Sequence, residues 1–211
     1  MLTIFMSPKG GTGTTVTAAS YAVAAANTSG RSLLIDMCGD AQAALGMAES
    51  AAPGLNDWLG EANPAGADDL LALGTPTGSV LVVHPGSRFV GGAPRWDALT
   101  QAVSSRDFPV VVDAGTQFVP DELRAAADRT WMVVRPCYLT LRRATRMPRA
   151  DGAVVVREPG RALSVRDVEA MLGVPVVATV PFDPAVSRAV DAGLLQARCD
   201  DVIGRHLPPL D

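Results

Sequence analysis

Long hydrophobic runs, aromatic residues and paired cysteines are all scarce in this sequence, and each scarcity excludes a class of protein. No stretch approaches the roughly 18 consecutive apolar residues of a membrane-spanning helix. The first residues lack a basic segment that leads into an apolar one, so we expect no secretory signal. Aromatic residues make up only 5% of the chain, and its hydrophobic fraction of 48% comes mainly from Ala and Val. A membrane-spanning or secreted protein is therefore not expected.

The three cysteines, Cys38, Cys137 and Cys199, lie far apart and form no CxxC pair. Such spacing is typical of reduced thiols and not of a disulfide framework or a zinc site, so we expect a cytoplasmic protein. His84 and His206 have no carboxylate or cysteine at ligand spacing, which favours structural roles for both. The formal net charge of −4 gives no indication of general affinity for nucleic acids or membranes, although local patches remain open.

Short β-branched runs alternate with segments of helical periodicity along the chain. Seven runs are candidate strands: LTIFM, SLLID, SVLVV, PVVVD, RTWMVV, AVVV and PVVATV. Segments between them, such as DELRAAAD and SVRDVEAML, carry apolar residues three and four apart. Turn signals are PGLND, ANPAG, TPTG, HPGS and GGAP. The pattern predicts one α/β domain over residues 1–211, with a mostly parallel sheet of about seven strands and helices on both faces.

The stretch MSPKGGTGTTVTAA, residues 6–19, has the composition of a phosphate-binding loop between a strand and a helix. Gly10, Gly11 and Gly13 permit positive φ angles, so backbone N–H groups can converge on an anion at a helix N-terminus. Thr15 stands where the hydroxyl of such a loop meets Mg²⁺. The position after the last glycine usually holds a lysine that reaches the β- and γ-phosphates, and here it is Thr14. A tight strand-to-helix turn without a ligand is the alternative interpretation.

Two aspartates end predicted strands, Asp36 in LLIDMCGD and Asp113 in PVVVDAG. Ligands of open α/β sheets bind beyond the carboxyl ends of the strands. Asp113 suits a carboxylate that holds Mg²⁺ through water. Either aspartate could instead form only a turn or a helix cap. The glycine loop and both aspartates at one edge of the sheet together favour a nucleotide site.

These stretches resemble the ParA/MinD family of P-loop ATPases, whose deviant Walker A motif carries a lysine before the glycine pair, as Lys9 stands here. LLIDMCGDAQAALGM is similar to the family's LLIDxDPQxxxxxxLG segment, and FPVVVDAG to its Walker B motif. LGVPVVATVPFDPAVSRAVDAG is similar to its C-terminal stretch, which passes the adenine. The resemblance implies a three-layer P-loop NTPase-like fold, ATP or ADP with Mg²⁺, and a nucleotide-dependent homodimer. Some details are similar to the divergent TadZ/CpaE type, linked to polar pilus assembly and septum placement.

The resemblance also implies a role for each matching residue. Lys9 reaches the partner's phosphates across an ATP-sandwiched dimer, and Asp36 is the first aspartate of a switch-like segment. The implied catalytic residues are Lys9, Asp36 and Asp40, and the implied metal ligands are Thr15, Asp36 and Asp113. The implied nucleotide contacts are Lys9, Gly10, Gly11, Thr12, Gly13, Thr14, Thr15, Pro181, Phe182 and Asp183.

Two departures from the family pattern bear on hydrolysis. Thr14 replaces the loop lysine, and Cys38 stands where the family carries the aspartate that positions the attacking water. Asp40 lies two residues further on and is the substitute candidate. Arg157 stands near the position where relatives often have an asparagine that reads adenine. Because losing one preorganised charge typically costs ~10²–10³ in rate, we predict nucleotide binding with weak or absent hydrolysis. Cys38 itself is interpreted as a small packed residue and not as a reactive thiol.

The stretch RPCYLTLRRATRMPR, residues 135–149, contains five arginines and no acidic residue. Its candidate contact residues are Arg142, Arg143, Arg146 and Arg149, although Pro148 is expected to end the helix early. We predict a docking surface for DNA phosphates or an acidic protein partner, and a solvated helix face is the alternative. The C-terminal GRHLPPLD is no basic amphipathic helix, so we expect no direct membrane binding.

The favoured function is positioning or partitioning inside the cell, as in chromosome or plasmid partition, septum placement or polar pilus assembly. One alternative is an interaction module that keeps the fold without nucleotide. The other is a dinucleotide-binding oxidoreductase, because GTGTTV partly resembles GxGxxG and Asp36 ends the second strand. In that motif Val16 replaces the third glycine, Lys9 has no role, and no catalytic Tyr/Lys or Cys/His set follows.

Overall fold

The computed structural model describes residues 1–61, 66–86 and 94–210 of the chain. Its strands are β1 Leu2–Met6, β2 Ser32–Asp36, β3 Thr75–Thr77, β4 Val80–Val83, β5 Val110–Gly115, β6 Arg129–Val134, β7 Gly152–Arg157 and β8 Val176–Pro181. Its helices are α1 Thr14–Ser29, α2 Ala41–Ala44, α3 Leu55–Leu59, α4 Ala67–Ala72, α5 Trp96–Ser104, α6 Asp121–Ala126, α7 Tyr138–Ala144, α8 Val165–Leu172, α9 Pro184–Asp191 and α10 Leu195–Val202. A 3-10 turn at Gly204–His206 follows α10.

The strands form one sheet in the order β3-β4-β2-β5-β1-β6-β7-β8. All neighbouring strands are parallel except β3 and β4, so the mostly parallel sheet is confirmed. Every residue of β1, β2 and β5 is buried, which explains why these strands are continuous apolar runs and not alternating ones. The carboxyl ends of these three central strands meet at one edge, where the glycine loop begins.

The sheet has eight strands and not seven, because TPTG, expected to be only a turn, contains β3. This strand of three residues pairs antiparallel with β4 through Gly78, whose φ is 54°. The Thr77 backbone carbonyl accepts a hydrogen bond from Gln196 Nε2 at 3.0 Å, and the Thr77 hydroxyl donates to Gln196 Oε1 at 2.5 Å. Pro76 at the centre of β3 has no N–H to donate. Because a helix side chain fixes this edge strand, its own residues do not show the alternation of apolar and polar side chains by which a strand is predicted.

The other turn signals have mixed outcomes. PGLND contains the start of α3, and the Gly54 N–H donates to Asp57 Oδ2 at 2.8 Å. ANPAG and GGAP lie almost entirely outside the described residues. HPGS begins directly after β4, and its last residue, Ser87, lies outside the described residues.

Helices cover both faces of the sheet, as predicted for three layers. One face packs Ile4, Ile35 and Val112 against α3 to α8, and the other packs Phe5 and its neighbours against α1, α2, α9 and α10. Burying each large apolar side chain contributes roughly 1.5–3 kcal/mol. The alanines of α1 let it lie close to the sheet. There the Tyr21 and Phe5 rings pack edge-on, with their centroids 5.2 Å apart. Within the described ranges, none of the helices has the length and apolarity needed to cross a bilayer.

Candidate functional site

The loop of residues 7–13 joins the central strand β1 to α1 and has a conformation that requires glycine. Gly11 and Gly13 have φ angles of 74° and 91°, in the left-handed region, and Gly13 is the N-cap of α1. A Cβ atom at Gly10 or Gly11 would have nothing within 4 Å, so the space above the loop is open. Gly11 and Gly13 are therefore needed for their backbone angles and not for lack of room, whereas Gly10 does not have the positive φ that its sequence position allowed. The loop leads into a helix of 16 residues, and the N-terminus of a helix attracts anions.

A chain of hydroxyl groups braces this loop from inside. Ser7 Oγ and Thr12 Oγ1 are hydrogen-bonded at 2.7 Å, and Thr12 Oγ1 and Thr14 Oγ1 at 2.9 Å. Ser7 Oγ also donates to the backbone carbonyl of Lys9 at 2.9 Å. Thr14 is buried, so its hydroxyl holds the loop in shape and does not extend over it as the replaced lysine would.

Asp113 does not end its strand as expected, because β5 continues to Gly115, and one oxygen of its carboxylate has no hydrogen bond among the described residues. Its Oδ1 accepts the Gly115 N–H at 3.1 Å, whereas Oδ2 is buried without a hydrogen bond within the described ranges. Burial raises the pKa of the carboxyl to about 7; the Thr15 hydroxyl opposes this, and the charges of Asp36 and Asp40 add to it. A buried carboxylate oxygen without a partner, near the hydroxyl of Thr15, fits a cation that lies between the two side chains.

Mg²⁺ fits this pair because it binds few protein oxygens and keeps water and phosphate oxygens as its other ligands. The described residues contain no group of three or more His, Cys, Asp or Glu side chains that could hold a metal alone. Thr15 and Asp113 thus suit a metal that arrives with a phosphate, and their role as metal ligands stays a prediction.

Asp36, the third predicted metal ligand, is used differently. It lies beside Asp113 in the register of β2 and β5 and is fully buried. Its Oδ1 accepts the N–H groups of Cys38 and Gly39, both at 2.8 Å, and its Oδ2 accepts that of Ala41 at 2.9 Å. Burial raises the pKa of this carboxyl, although the three N–H groups oppose the shift. Asp36 therefore shapes the turn into α2. Its catalytic and metal-binding roles stay predictions, and in either role a ligand would compete with these N–H groups for the carboxylate oxygens.

Cys38 packs against the end of β5. Its Sγ donates to the Ala114 carbonyl at 3.3 Å, and a Cβ atom on Gly115 would lie only 2.3 Å from that sulfur. Burial, followed by the negative charges of Asp113 and Asp36, raises the pKa of the thiol to about 12. The thiol therefore stays protonated near neutral pH, as the packed-residue interpretation expects, and cannot act as a base.

A cavity of about 670 Å³ opens above the glycine loop. Every predicted loop residue from Lys9 to Thr15 lines it, and so does Asp40. Thr116, Gln117, Val190 and Asp191 also line it, although none of the four was a predicted site residue; Val190 and Asp191 belong to the stretch expected to pass the adenine. Thr116 and Gln117 follow Asp113 closely in sequence, which is the signal that could have found them.

The predicted base contacts lie elsewhere. Pro181, Phe182 and Asp183 do not line the cavity. Asp183 Oδ1 accepts the Ala185 N–H at 2.7 Å and caps α9, and the exposed Phe182 ring lies 5.3 Å from the Arg135 guanidinium carbon. The structure thus brings the C-terminal end of α9 to the cavity, not its beginning, and a role of residues 181–183 in nucleotide binding stays a prediction.

Positive side-chain charge is scarce around the cavity. Lys9 is the only lysine of the whole chain, and it makes no ion pair with any described residue. Asp40 and Asp191 line the same cavity, and two buried carboxylates lie beside it. A triphosphate would therefore depend on backbone dipoles, on Mg²⁺ and on Lys9 for charge neutralisation.

The arginine stretch forms an exposed surface around α7, which ends at Ala144, before Pro148 as expected. Arg142, Arg143 and Arg146 are exposed and have no carboxylate within 4.0 Å among the described residues. Arg149 donates to the Gly173 carbonyl at 2.9 Å. Arg135 is paired with Glu158 and does not belong to this surface. Two apolar side chains on the first turn of α7 are also exposed, Tyr138 and Leu139.

The CobQ/CobB/MinD/ParA nucleotide binding domain model matches residues 3–196. The chain belongs to this family. The ParA/MinD resemblance is thereby confirmed, and the family favours the P-loop interpretation of GTGTTV over the dinucleotide-binding one. Comparison with curated proteins gives no match.

Solved structures of this family share the fold. A ParA family ATPase from Chlorobium tepidum TLS superposes with a TM-score of 0.79 at 19% identity, covering 97% of this chain and 95% of that one. The MinD cell division protein of Aquifex aeolicus gives 0.76 at 19% identity, covering 97% and 92%. The septum site-determining protein MinD from Pyrococcus horikoshii OT3, complexed with Mg-ADP, gives 0.67 at 17% identity, covering 95% and 88%.

Proposed function

We propose that this protein binds Mg-ATP or Mg-ADP in the cavity above the glycine loop and acts as a ParA/MinD-type positioning protein with weak or absent ATP hydrolysis. The observation that carries the proposal is the buried Asp113 Oδ2, which has no hydrogen-bond partner among the described residues and lies near Thr15. Thr15 stands at the start of a helix, and the glycine loop that precedes this helix opens into the cavity. The solved MinD complex with Mg-ADP supports nucleotide and metal as a pair in a relative of the same fold.

Each part of the cavity has a distinct task in this proposal. Residues 10–13 and the first turn of α1 direct backbone N–H groups at the phosphates. Thr15 and Asp113 hold Mg²⁺, which when bound neutralises phosphate charge. Lys9 supplies the cationic side chain, toward the phosphates of a second copy in a nucleotide-dependent homodimer.

Hydrolysis is slow in this proposal because two groups that normally stabilise its transition state are missing. The Thr14 hydroxyl bonds to Thr12 and carries no charge. The Cys38 thiol stays protonated and bonds to the Ala114 carbonyl. Phosphoryl transfer depends almost wholly on positioning and charge neutralisation, and each missing group typically costs ~10²–10³ in rate.

The cellular role proposed is the placement of a cytoplasmic machine or cargo. Relatives of the same fold include a cell division protein complex, MinC:MinD of Aquifex aeolicus, and a putative plasmid partition protein of Borrelia burgdorferi B31. Chromosome or plasmid partition, septum placement and polar pilus assembly of the TadZ/CpaE type are the candidate processes. The exposed arginines around α7 are the proposed contact for DNA or an acidic protein, and no direct membrane binding is proposed.

Calorimetry with Mg²⁺ and a non-hydrolysable ATP analogue tests the binding site. We expect a dissociation constant in the micromolar range or weaker, about −8 kcal/mol at best. Thr15→Val and Asp113→Asn keep the size of each side chain, and each should weaken binding about tenfold or more in Mg²⁺. With EDTA present, the same changes should have little effect, because the metal contact is then absent.

Thr28→Val is the matched control, since Thr28 is an exposed threonine at the far end of α1. It should bind the analogue as the wild type does. No heat of binding and no nucleotide-dependent shift in Tm for the wild type would contradict the proposal and favour an interaction module without nucleotide.

A further inference from the structure

Gln117 lines the cavity, and its side chain has no role in the proposed function. It lies in the loop after β5, exposed, next to Thr116 and two residues beyond Gly115. Its backbone N–H donates to the Ala114 carbonyl at 2.7 Å, and the Gly115 carbonyl accepts the Ser7 N–H at 2.6 Å. The turn that carries Gln117 is thus tied by backbone hydrogen bonds to the start of the glycine loop.

Three groups near Gln117, namely Cys38, Asp36 and Asp113, are poorly placed to orient a water molecule. Cys38 stays protonated and donates to a carbonyl. Both oxygens of Asp36 accept backbone N–H groups. Asp113 is fully buried, and its free oxygen is the one proposed to face Mg²⁺. The side-chain amide of Gln117, in contrast, makes no hydrogen bond with any described residue and is open to the cavity.

An amide also suits the charge of this cavity better than a carboxylate does. The cavity has one lysine, Lys9, against the exposed Asp40 and Asp191 and the buried pair behind them. A further negative group near a γ-phosphate would repel it, and no loop lysine is present at position 14 to offset that repulsion. An amide offers a carbonyl oxygen that accepts a hydrogen bond and an NH₂ group that donates two, without net charge.

We propose that Gln117 positions the water that attacks the γ-phosphate of bound ATP, at a site where the family's water-orienting aspartate is replaced by Cys38. The Gln117 carbonyl accepts a hydrogen bond from the water, and its NH₂ group donates to a γ-phosphate oxygen. The inference rests on the proposed function, because it requires ATP in the cavity.

The reaction balances without a base from the protein. The water oxygen forms a bond to the γ-phosphorus while the bond from that phosphorus to the β–γ bridging oxygen breaks, and the electron pair leaves with ADP. The proton of the water passes to a γ-phosphate oxygen, since an amide cannot accept it. Gln117 is a positioning residue, as is the glutamine that orients the attacking water in Ras and Gα. The slow hydrolysis left to this protein depends on it.

Single-turnover hydrolysis, with protein in excess over labelled ATP, tests this role. Gln117→Ala should lower the hydrolysis rate about tenfold or more, while the affinity for the ATP analogue and the Tm stay those of the wild type. Gln101→Ala, a change of an exposed glutamine on α5, is the matched control and should leave the rate unchanged. Gln117→Glu should weaken binding of the triphosphate analogue more than binding of ADP, because the added charge lies near the γ-phosphate.

The outcomes separate the two levels of inference. ATP analogue binding with equal hydrolysis in wild type and Gln117→Ala overturns the role of Gln117 alone. The same holds for a wild type that binds but hydrolyses no faster than buffer. Equal losses of triphosphate and diphosphate affinity in Gln117→Glu also overturn it. A wild type that binds no nucleotide overturns the proposed function and this role together.

Discussion

Thr14 and Cys38 depart from the family pattern at the same cavity, and the contacts around them connect the two departures. The Cys38 sulfur lies near Asp36 and Asp113, whose charges raise the pKa of the thiol. An aspartate at position 38 would make a third carboxylate in this cluster. Lys9 is the only cation of the loop and no lysine at position 14 adds to it, so an uncharged cysteine suits this loop.

The substitutions Thr14→Lys and Cys38→Asp should therefore be strongly coupled. Cys38→Asp alone should destabilise the nucleotide-free protein by ~1–3 kcal/mol and should not restore hydrolysis, because it adds an uncompensated charge. The double variant should regain stability relative to Cys38→Asp and should raise ATPase activity by more than the two single changes combined. Phosphate release and urea unfolding of the wild type, the two single variants and the double variant measure the coupling in hydrolysis rate and in stability.

Independent effects on both rate and stability would contradict this electrostatic connection. Tighter nucleotide binding in the double variant without faster turnover would show that the site lacks more than these two groups.

At the scale of elements, α7 presents two kinds of surface. Its first turn exposes Tyr138 and Leu139, and its last turn and the following residues expose Arg142, Arg143 and Arg146. None of these three arginines has a carboxylate partner among the described residues. An unpaired basic cluster on a chain of net charge −4 is a local feature and does not follow from composition.

Charge reversal of this surface should remove a binding partner without unfolding the protein. If the partner is DNA, Arg142→Glu with Arg146→Glu should abolish binding, and the wild-type affinity should fall steeply with salt. If the partner is an acidic protein, the same variant should lose it in a pull-down. Arg166→Glu with Arg198→Glu is the matched control, because it reverses two exposed arginines on α8 and α10.

An equal loss in the control pair would attribute binding to net charge and not to α7. Unchanged binding in both variants would favour the alternative interpretation, in which the arginines form only a solvated helix face.

The sequence predicts those elements whose stability depends on their own residues. The buried central strands are continuous β-branched runs, and the glycine loop is predictable because only glycine adopts the φ angles of Gly11 and Gly13 without strain. β3 is different, because a side chain 119 residues away fixes it. Val190 and Asp191 reach the cavity through tertiary packing. Close to them, Gly193 packs against Gly46 so tightly that a Cβ atom on Gly46 would lie 2.4 Å from the Gly193 carbonyl oxygen. Sequence spacing does not encode such an approach.

At the scale of the whole molecule, Lys9 is the residue through which the proposed function would link nucleotide binding to assembly. It is the only lysine of the chain, it lines the cavity, and it makes no ion pair with a described residue. A monomer would face much of the triphosphate charge with backbone dipoles and Mg²⁺. In the proposed two-fold arrangement, Lys9 of each copy would reach the phosphates of the other.

Nucleotide binding and dimerisation should therefore be coupled, by ~1–3 kcal/mol as is typical of linked sites. Light scattering during an ATP titration should show the dimer forming together with bound nucleotide, and Lys9→Ala should weaken both. An amine-reactive reagent can modify only Lys9 and the N-terminus, and ATP should protect Lys9 from it.

Arg166→Ala removes an exposed cation on α8 and serves as the control, which should dimerise as the wild type does. Equal ATP affinity in a dilute monomer, or unchanged dimerisation of Lys9→Ala, would contradict the coupling.

The edge strand β3 has a consequence for proteins that gather at high local concentration. Exposed strand edges can recruit extended segments of other chains and so begin irreversible fibrous aggregation. At this edge Pro76 offers no N–H, and Gln196 already occupies the Thr77 carbonyl. In the proposed function, molecules crowded on one cellular structure would thereby be hindered from continuing the sheet at β3. Their contacts there would remain those of folded surfaces, which could separate again when the nucleotide leaves.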